Sequence, residues 1–275
     1  MSEITTFAAL LAGRRHAPGS ASVTFDIPED WQQGRTTFGG LIASTAVQAM
    51  RDVAGAGWGP EVKLRALQTS FIGPVDRGAV DVQVQVLREG RNVRQVQALV
   101  QQGGQTAALL LGVFGSDRET VVAPLAPAQP AVAQAAEAAM KLPFLRGIAP
   151  NFTQHFDARW GEGELPFSGR ESLLSRIHLR LASEPVDAEL LTVLMADLPP
   201  TPVLSRFTRP VPASSVSWEL ELRPVADAPQ GDGAWWRVDT DVIAAAGGYV
   251  NQVTKLWTPN GELASIGYQV VAVYG

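Results

Sequence analysis

Residues 80–100 read VDVQVQVLREGRNVRQVQALV, and the spacing of apolar residues in this stretch decides the fold class. Valine recurs at every second position over 80–86, and the alternation resumes over 93–100 after a turn at Glu89-Gly90. Because successive side chains of a strand point to opposite faces, each run predicts a strand that packs on one side. The turn between the two runs predicts that they pair as antiparallel neighbours.

A similar strand sequence occurs again in the second half of the chain. Residues 93–99 read VRQVQAL, and residues 250–256 read VNQVTKL. Each segment is followed by a glycine turn and then by a second apolar strand. Several matches in one register indicate that a whole domain was duplicated, since the segments are longer than the units of a solenoid. An offset of 157 residues relates Gln95 to Gln252, Val96 to Val253, Leu99 to Leu256, Gly104 to Gly261 and Ala107 to Ala264.

Each half also contains one predicted helix ahead of its strands. In the first half this helix covers 41–53 and follows Gly39 and Gly40. In the second half it begins at Pro185 and runs to about Met195, where two prolines stop it. One helix followed by four antiparallel strands, twice over, predicts an α+β fold. The strands of the second half are predicted at 216–222, 236–242, 249–257 and 263–273, with an Asn260-Gly261 hairpin turn before the last.

A change of composition separates the two predicted halves. Residues 117–148 are rich in proline and alanine, which is typical of a connector between domains. We therefore predict an N-terminal domain over 1–116 and a C-terminal domain over 149–275. Within the connector, alanine-rich residues 131–141 predict a short helix.

Composition narrows the possible classes of function. The chain has 275 residues, and its net charge of −5 argues against a general affinity for nucleic acid. It has no cysteine, which excludes disulfides, thiolate metal sites and a cysteine nucleophile. His16, His155 and His178 are not spaced as metal ligands, and we expect His178 on the solvent side of a strand.

The N-terminal sequence MSEITTFAALLAGRR predicts a short amphipathic helix. Its basic pair follows the apolar run, which is the reverse of the order in a secretory signal. No segment is long and apolar enough to span a membrane. We expect a cytoplasmic protein that needs no metal and no organic cofactor.

Two stretches of the first half resemble the double-hotdog acyl-CoA thioesterase family, and bacterial acyl-CoA thioesterase II in particular. Residues 36–50 read TTFGGLIASTAVQAM, and residues 64–104 read LRALQTSFIGPVDRGAVDVQVQVLREGRNVRQVQALVQQGG. The resemblance extends over nearly the whole chain. It implies two tandem hotdog domains, each an antiparallel sheet wrapped around a central helix. It also implies an acyl-CoA substrate and a homodimer or larger homo-oligomer.

In the second half the resemblance implies a catalytic site made of an Asp, a Ser or Thr, and a Gln. The Asp ends the second central helix, which points to Asp197. The hydroxyl residue opens the next strand, where Ser215 matches and Ser214 and Ser217 remain alternatives. The Gln lies eight residues beyond a turn glycine, which points to Gln269. The chain departs from the family at Ser217-Trp218, where an Asp-His pair is common.

These residue types suit the hydrolysis of a thioester, which needs a positioned water, a base and support for an oxyanion. Asp197 would accept the proton of the water, with a raised pKa if the helix end is buried. Ser215 and Gln269 would orient the water. The backbone N–H groups of Gly40 and Leu41, at the positive end of a helix, would stabilise the oxyanion.

The duplication predicts a single composite site. The offset that relates the two halves carries Gln269 back to position 112, which is glycine. The first half therefore lacks the amide, whereas the second half lacks the Gly39-Gly40 pair before its helix. We expect one site where the halves meet, to which each contributes.

Two other functions remain open. A catalytically silent protein that binds acyl-CoA or acyl chains would use the same apolar interior. A hotdog enoyl-CoA hydratase would need an Asp-His pair at the start of a central helix, and neither predicted helix supplies one.

Overall fold

The alternating segments form strands of one large antiparallel sheet in the structure, a computed structural model that describes residues 4–223, 225 and 228–275. The helices are α1 (Phe7–Ala12), α2 (Gly39–Val53) and α3 (Ala188–Ala196). The strands are β1 (Ser22–Ile27), β2 (Gln32–Gln33), β3 (Thr36–Thr37), β4 (Lys63–Phe71), β5 (Gly78–Glu89), β6 (Val93–Gln102), β7 (Gln105–Gly115), β8 (Met140–Leu142), β9 (Phe156–Glu162), β10 (Leu174–Leu181), β11 (Ala213–Leu222), β12 (Trp236–Ala246), β13 (Tyr249–Trp257) and β14 (Leu263–Val273).

The order of strands shows the duplication directly. The 12-stranded sheet has the order β1-β5-β6-β7-β4-β11-β14-β13-β12-β10-β9-β8. In chain order, β1, β4, β5, β6 and β7 follow the same path through the sheet as β10 to β14. The last strand of each unit, β7 or β14, pairs with the strand after the central helix, β4 or β11. The two units join edge to edge through β4 and β11, which pair antiparallel. This is the double-hotdog architecture, of class α+β, that the sequence resemblance implies.

The central helices pack together on the inner face of the sheet, by which we mean the face that contacts them. Helix α2 buries ten of its residues, and seven of the nine residues of α3 are buried. The hydroxyl of Ser44 in α2 donates to the carbonyl of Leu190 in α3 over 3.4 Å. The N-terminus of α2 lies at the C-terminus of α3, because the Leu194 carbonyl is 2.6 Å from where a Cβ on Gly40 would stand. The two helices therefore run antiparallel.

Helix α1 confirms the short N-terminal helix. It begins after Thr6, whose hydroxyl accepts from the backbone N–H of Ala9 at 3.2 Å. Its buried side chains are Phe7, Leu10 and Leu11, which join the core of the first unit.

The second central helix begins later than predicted. Helix α3 starts at Ala188, and Asp187 caps it by accepting from the N–H groups of Glu189 at 2.9 Å and Leu190 at 3.2 Å. Pro185 therefore lies outside the helix, and the prediction of its start was wrong by three residues. An aspartate at the cap satisfies two helix N–H groups, which a proline cannot do.

The connector contains no helix over 131–141, which corrects that prediction. These residues form turns and lead into β8, and although Ala135 accepts from the N–H of Ala139 at 2.9 Å, other carbonyls of the connector accept from side chains of the sheet. Arg159 donates to Ala136 at 3.0 Å, and Arg237 donates to Pro130 at 2.8 Å. The connector thus lies across the outer face of the second unit.

His178 is buried, so the prediction that it faces solvent was wrong. Only 7% of it is exposed, and its Nε2 lies 2.9 Å from the carbonyl of Gln134 in the connector. The alternation of β10 correctly places His178 on the outer face, but the connector covers that face. Burial lowers the pKa of His178, and the hydrogen bond with the Gln134 carbonyl offsets part of that decrease.

The structure also revises the register of the repeat. Gln95 and Gln252 share a sequence offset but lie on opposite faces, since Gln95 is exposed whereas Gln252 is 3% exposed on the inner face. Val96 lies opposite Gly112, and Gln252 lies opposite Gln269. The true counterparts are therefore Val96 with Gln252, and Gly112 with Gln269, the second of which agrees with the predicted offset.

Candidate active site

Four polar side chains of the second unit form one hydrogen-bonded network on the inner face. The Nε2 of Gln269 donates to Oδ1 of Asp197 and to Oγ of Ser215, each over 2.8 Å. The Nε2 of Gln252 donates to Oε1 of Gln269 over 2.7 Å. The structure thus brings together the three predicted catalytic side chains and adds a fourth.

Asp197 follows directly on the last residue of α3, and two prolines come soon after it. Its carboxylate faces the N-terminus of α2, where the backbone N–H of Gly40 donates to it. A Cβ at Gly39 would stand 2.6 Å from Oδ2 of Asp197. Glycine at position 39 is therefore what allows the carboxylate to approach the helix end.

Burial dominates the electrostatics of Asp197. It raises the pKa of this carboxyl to about 7, because a charged group loses its hydration in the interior. The hydrogen bonds from Gln269 and from Gly40 favour the charged form and limit the rise. A carboxylate with a pKa near neutrality can both hold and release a proton at physiological pH.

A β-bulge selects Ser215 among the three candidate hydroxyls. The register of β11 against β14 shifts between Ser215 and Ser217, and this shift turns Ser215 to the inner face toward Gln269. Ser217 is exposed on the outer face, and the hydroxyl of Ser214 donates to the carbonyl of Ser215 at 3.4 Å. Strand β4 shows a shift at the matching place, between residues 64 and 66.

The two predicted oxyanion donors lie at the start of α2, close to Asp197. The N–H of Leu41 donates to the carbonyl of Phe38 at 3.1 Å, and the N–H of Gly40 donates to Asp197. Both groups are thus engaged within the protein, and their role toward an oxyanion stays a prediction.

Gln252 is the member of the network that sequence reasoning missed. The turn before β14 is a three-residue loop, in which the N–H of Gly261 donates to the carbonyl of Thr258 at 2.9 Å. A register shift between Leu256 and Trp257 then places Gln252 directly opposite Gln269, and the turn alone does not predict that pairing. The two amides can therefore meet only on the same face.

The equivalent position of the first unit is filled with apolar side chains. Gly112 stands where the second unit has Gln269, and a Cβ there would lie 2.7 Å from Sδ of Met50. Leu64 takes the position of Ser215, and Val96 takes that of Gln252. One network thus exists in the described chain, made by the second unit and completed by the start of α2 from the first.

A groove of about 730 Å³ lies on the outer face of the same strands. Its lining includes Gln252 and Gln269 but neither Asp197 nor Ser215. We do not place the chemistry there, because the carboxylate and the hydroxyl both lie on the inner face. Over residues 4–223, 225 and 228–275, no three His, Asp or Glu side chains group as metal ligands, and no helix is suited to crossing a membrane.

Solved structures with the same architecture extend over nearly the full length of the chain. A hotdog-fold protein of unknown function from Alicyclobacillus acidocaldarius is 16% identical, with a TM-score of 0.81 and 99% of each chain covered. An acyl-CoA thioesterase II from Mycobacterium marinum is 16% identical, with a TM-score of 0.69 and 96% of each chain covered. A dehydratase domain from Pseudomonas fluorescens is 10% identical, with a TM-score of 0.58, 97% of this chain and 98% of that chain covered. These likenesses establish the fold.

Sequence comparison is more specific than the fold. A search of curated proteins finds no significant match. The family description of the acyl-CoA thioesterase N-terminal domain matches residues 27–115. That of the acyl-CoA thioesterase C-terminal domain matches residues 126–273. The two matches together span most of the chain, which therefore belongs to the acyl-CoA thioesterase family.

Proposed function

We propose that this protein hydrolyses acyl-CoA thioesters to free CoA and a carboxylic acid, with a water molecule held by Asp197, Ser215 and Gln269. The observation that carries the proposal is a half-buried carboxylate, with a pKa of about 7, hydrogen-bonded to an amide that also bonds a hydroxyl. Membership of the acyl-CoA thioesterase family supports thioester hydrolysis in general.

The reaction needs one proton transfer in each direction. Asp197 accepts a proton from the water as the water oxygen attacks the thioester carbonyl carbon. The carbonyl oxygen becomes an oxyanion, and the N–H of Gly40, which bonds the ionised carboxylate, would turn to it once Asp197 is protonated. The C–S bond then breaks, the electron pair leaves with the sulfur, and the protonated Asp197 returns its proton to the CoA thiolate. Ser215 and Gln269 orient the water through both steps.

Two alternatives fit the molecule less well. A dehydratase domain is among the solved structures with a similar fold, but residues 39–53 and 188–196 contain no histidine to form an Asp-His pair. A silent binder of acyl-CoA has no use for a carboxylate buried at the cost of its hydration. We favour hydrolysis because the network supplies a base.

Thiol release from a panel of acyl-CoAs of different chain length tests the proposal. We expect Asp197→Asn and Gln269→Ala each to lower kcat by about 100-fold or more, because the first removes the base and the second removes the amide that orients the water. Asp81→Asn, which changes an exposed carboxylate on β5, is the matched control and retains activity. Full activity in Asp197→Asn would refute the site. Tight binding without release from any acyl-CoA would favour the silent binder.

The cellular setting and the assembly are further parts of this proposal. We propose a cytoplasmic homodimer or larger homo-oligomer, as the resemblance to the family implies. Light scattering on the purified protein tests the assembly, and a monomer at micromolar concentration would contradict it. Fractionation of cells tests the location.

A further inference from the structure

Gln252 lies beside the proposed site without touching any atom that reacts. It stands in β13, only 3% exposed, directly opposite Gln269 in β14. Its Nε2 donates to Oε1 of Gln269 over 2.7 Å, which is a well-formed hydrogen bond between two buried amides. The first unit has Val96 at this position, so the fold itself does not require an amide there.

The orientation of the Gln269 amide matters because its two ends are chemically different. The nitrogen end has two hydrogens, and both are used, one on Asp197 and one on Ser215. If the amide turned by half a rotation, its carbonyl oxygen would face the carboxylate oxygen of Asp197. Two acceptors would then repel each other, and both hydrogen bonds would be lost.

We propose that Gln252 is a positioning residue that holds the Gln269 amide with its nitrogen toward Asp197 and Ser215. Donation from Gln252 occupies the oxygen end of Gln269, so that the Gln269 amide cannot turn alone without placing two N–H groups against each other, and can turn only if Gln252 turns with it. The inference rests on the proposed function, because it assigns a role toward the same reaction. It goes beyond it by adding a residue that acts only through Gln269.

The surroundings of Asp197 make this role measurable. The groups that set its pKa are the buried surroundings, the Gln269 amide and the N–H of Gly40, with no charged side chain among them. If the amide loses its fixed orientation, the ionised carboxylate loses a donor. The pKa of Asp197 then rises further, and a greater fraction of the base is protonated at neutral pH.

The first experiment compares Gln252→Met, which keeps the length of the side chain but cannot donate, with the wild type. We expect kcat to fall by about tenfold or more while KM changes little, because a misplaced amide costs orientation rather than binding. The acid limb of the pH–rate profile moves to higher pH. Gln95→Met is the matched control, since Gln95 is exposed on β6, and it leaves both quantities unchanged. Gln252→Asn, whose shorter amide cannot reach Gln269, is a second variant with the same expected direction.

The second experiment is a double-mutant cycle with Gln269→Met. If Gln252 acts only through Gln269, adding Gln252→Met to that background causes no further loss of kcat. Losses that multiply, or an acid limb that stays in place, would show that Gln252 only fills space and would overturn the inference. Carbon-13 NMR of the Asp197 carboxyl in the wild type and in Gln252→Met reads its pKa without turnover. A wild type that releases no thiol would refute the proposed function, whereas an unmoved carboxyl pKa would refute this inference.

Discussion

At the scale of single residues, the proposed function depends on a carboxylate placed where charge is costly. Asp197 is half-buried, and donors from Gln269 and Gly40 compensate in part for its lost hydration. The balance leaves its pKa at about 7 rather than at the ordinary 3.8. This difference has one consequence for the rate and one for stability.

The rate of hydrolysis should follow the ionisation of Asp197. A general base accepts a proton only when it is ionised, so kcat/KM rises as pH increases through about 7 and levels above that value. Initial rates of thiol release across this range, corrected for spontaneous hydrolysis, give the profile. A rate that is constant between about pH 5 and pH 8 would contradict the role of Asp197 as the base.

Stability should change in the opposite sense. The folded pKa of Asp197 lies above the unfolded value, so between pH 3.8 and about 7 the folded state keeps a proton that the unfolded state has lost. The free energy of unfolding therefore falls as pH rises through this window. We expect Asp197→Asn to be more stable than the wild type by on the order of 2 kcal/mol at about pH 8, and by less at about pH 5.

Urea unfolding of both proteins at the two pH values measures this effect. All other titrating groups are present in both proteins, so their contributions cancel in the stability difference between the two. An equal stability difference at both pH values would show that Asp197 does not carry the proton.

At the scale of elements, the site depends on how closely two helix ends approach. The C-terminus of α3 carries Asp197, and the N-terminus of α2 meets it at two glycines. A Cβ on Gly39 would lie 2.6 Å from the Asp197 carboxylate, and one on Gly40 would lie 2.6 Å from the Leu194 carbonyl. Side chains at these positions would push the helices apart.

Gly39→Ala should therefore destabilise the protein by about 1–3 kcal/mol and lower kcat, because the added methyl overpacks the contact with Asp197. Gly57→Ala is the matched control, since nothing lies within 4 Å of a Cβ there. Urea unfolding and thiol release measure the two effects. Stability and rate in Gly39→Ala equal to those of Gly57→Ala would refute the close contact.

At the scale of the whole molecule, the two units are held together by more than the β4–β11 pairing. Glu189 at the start of α3 bonds Arg51 of α2 over 2.6 Å and the backbone N–H of Leu64 over 2.7 Å. Phe38 of the first unit stacks on Phe152 of the second, with ring centroids 4.1 Å apart. The contact between the two units therefore includes both polar and aromatic interactions.

Glu189→Ala should lower the free energy of unfolding by about 3 kcal/mol, because it leaves a half-buried guanidinium and a backbone N–H without their partner. Glu171→Ala is the matched control, since its ion pair with Arg206 is solvent-exposed, and it should cost less than about 1 kcal/mol. Urea unfolding compares the two variants. Equal losses would show that Glu189 contributes no more than a surface charge.

Much of the architecture could be predicted from local patterns. Alternation over residues 80–100 predicts strands because burial of one face has a period of two, and this depends on the chain alone. The similar sequence in the second half predicts duplication because several residues match at one constant offset. Asp197, Ser215 and Gln269 could be named in advance because the family resemblance supplies their positions relative to a helix end, a strand start and a turn.

What only the tertiary structure decided concerns contacts between distant segments. The burial of His178 depends on a connector that covers the outer face, and no pattern near His178 records that. The choice of Ser215 depends on a bulge, and a shift of one residue turns every following side chain to the other face. A one-residue difference in register likewise puts Gln252 on the inner face, where it joins the network, whereas its sequence match Gln95 lies on the outer face. Local periodicity reports whether a face is buried, whereas the folded chain determines what buries it.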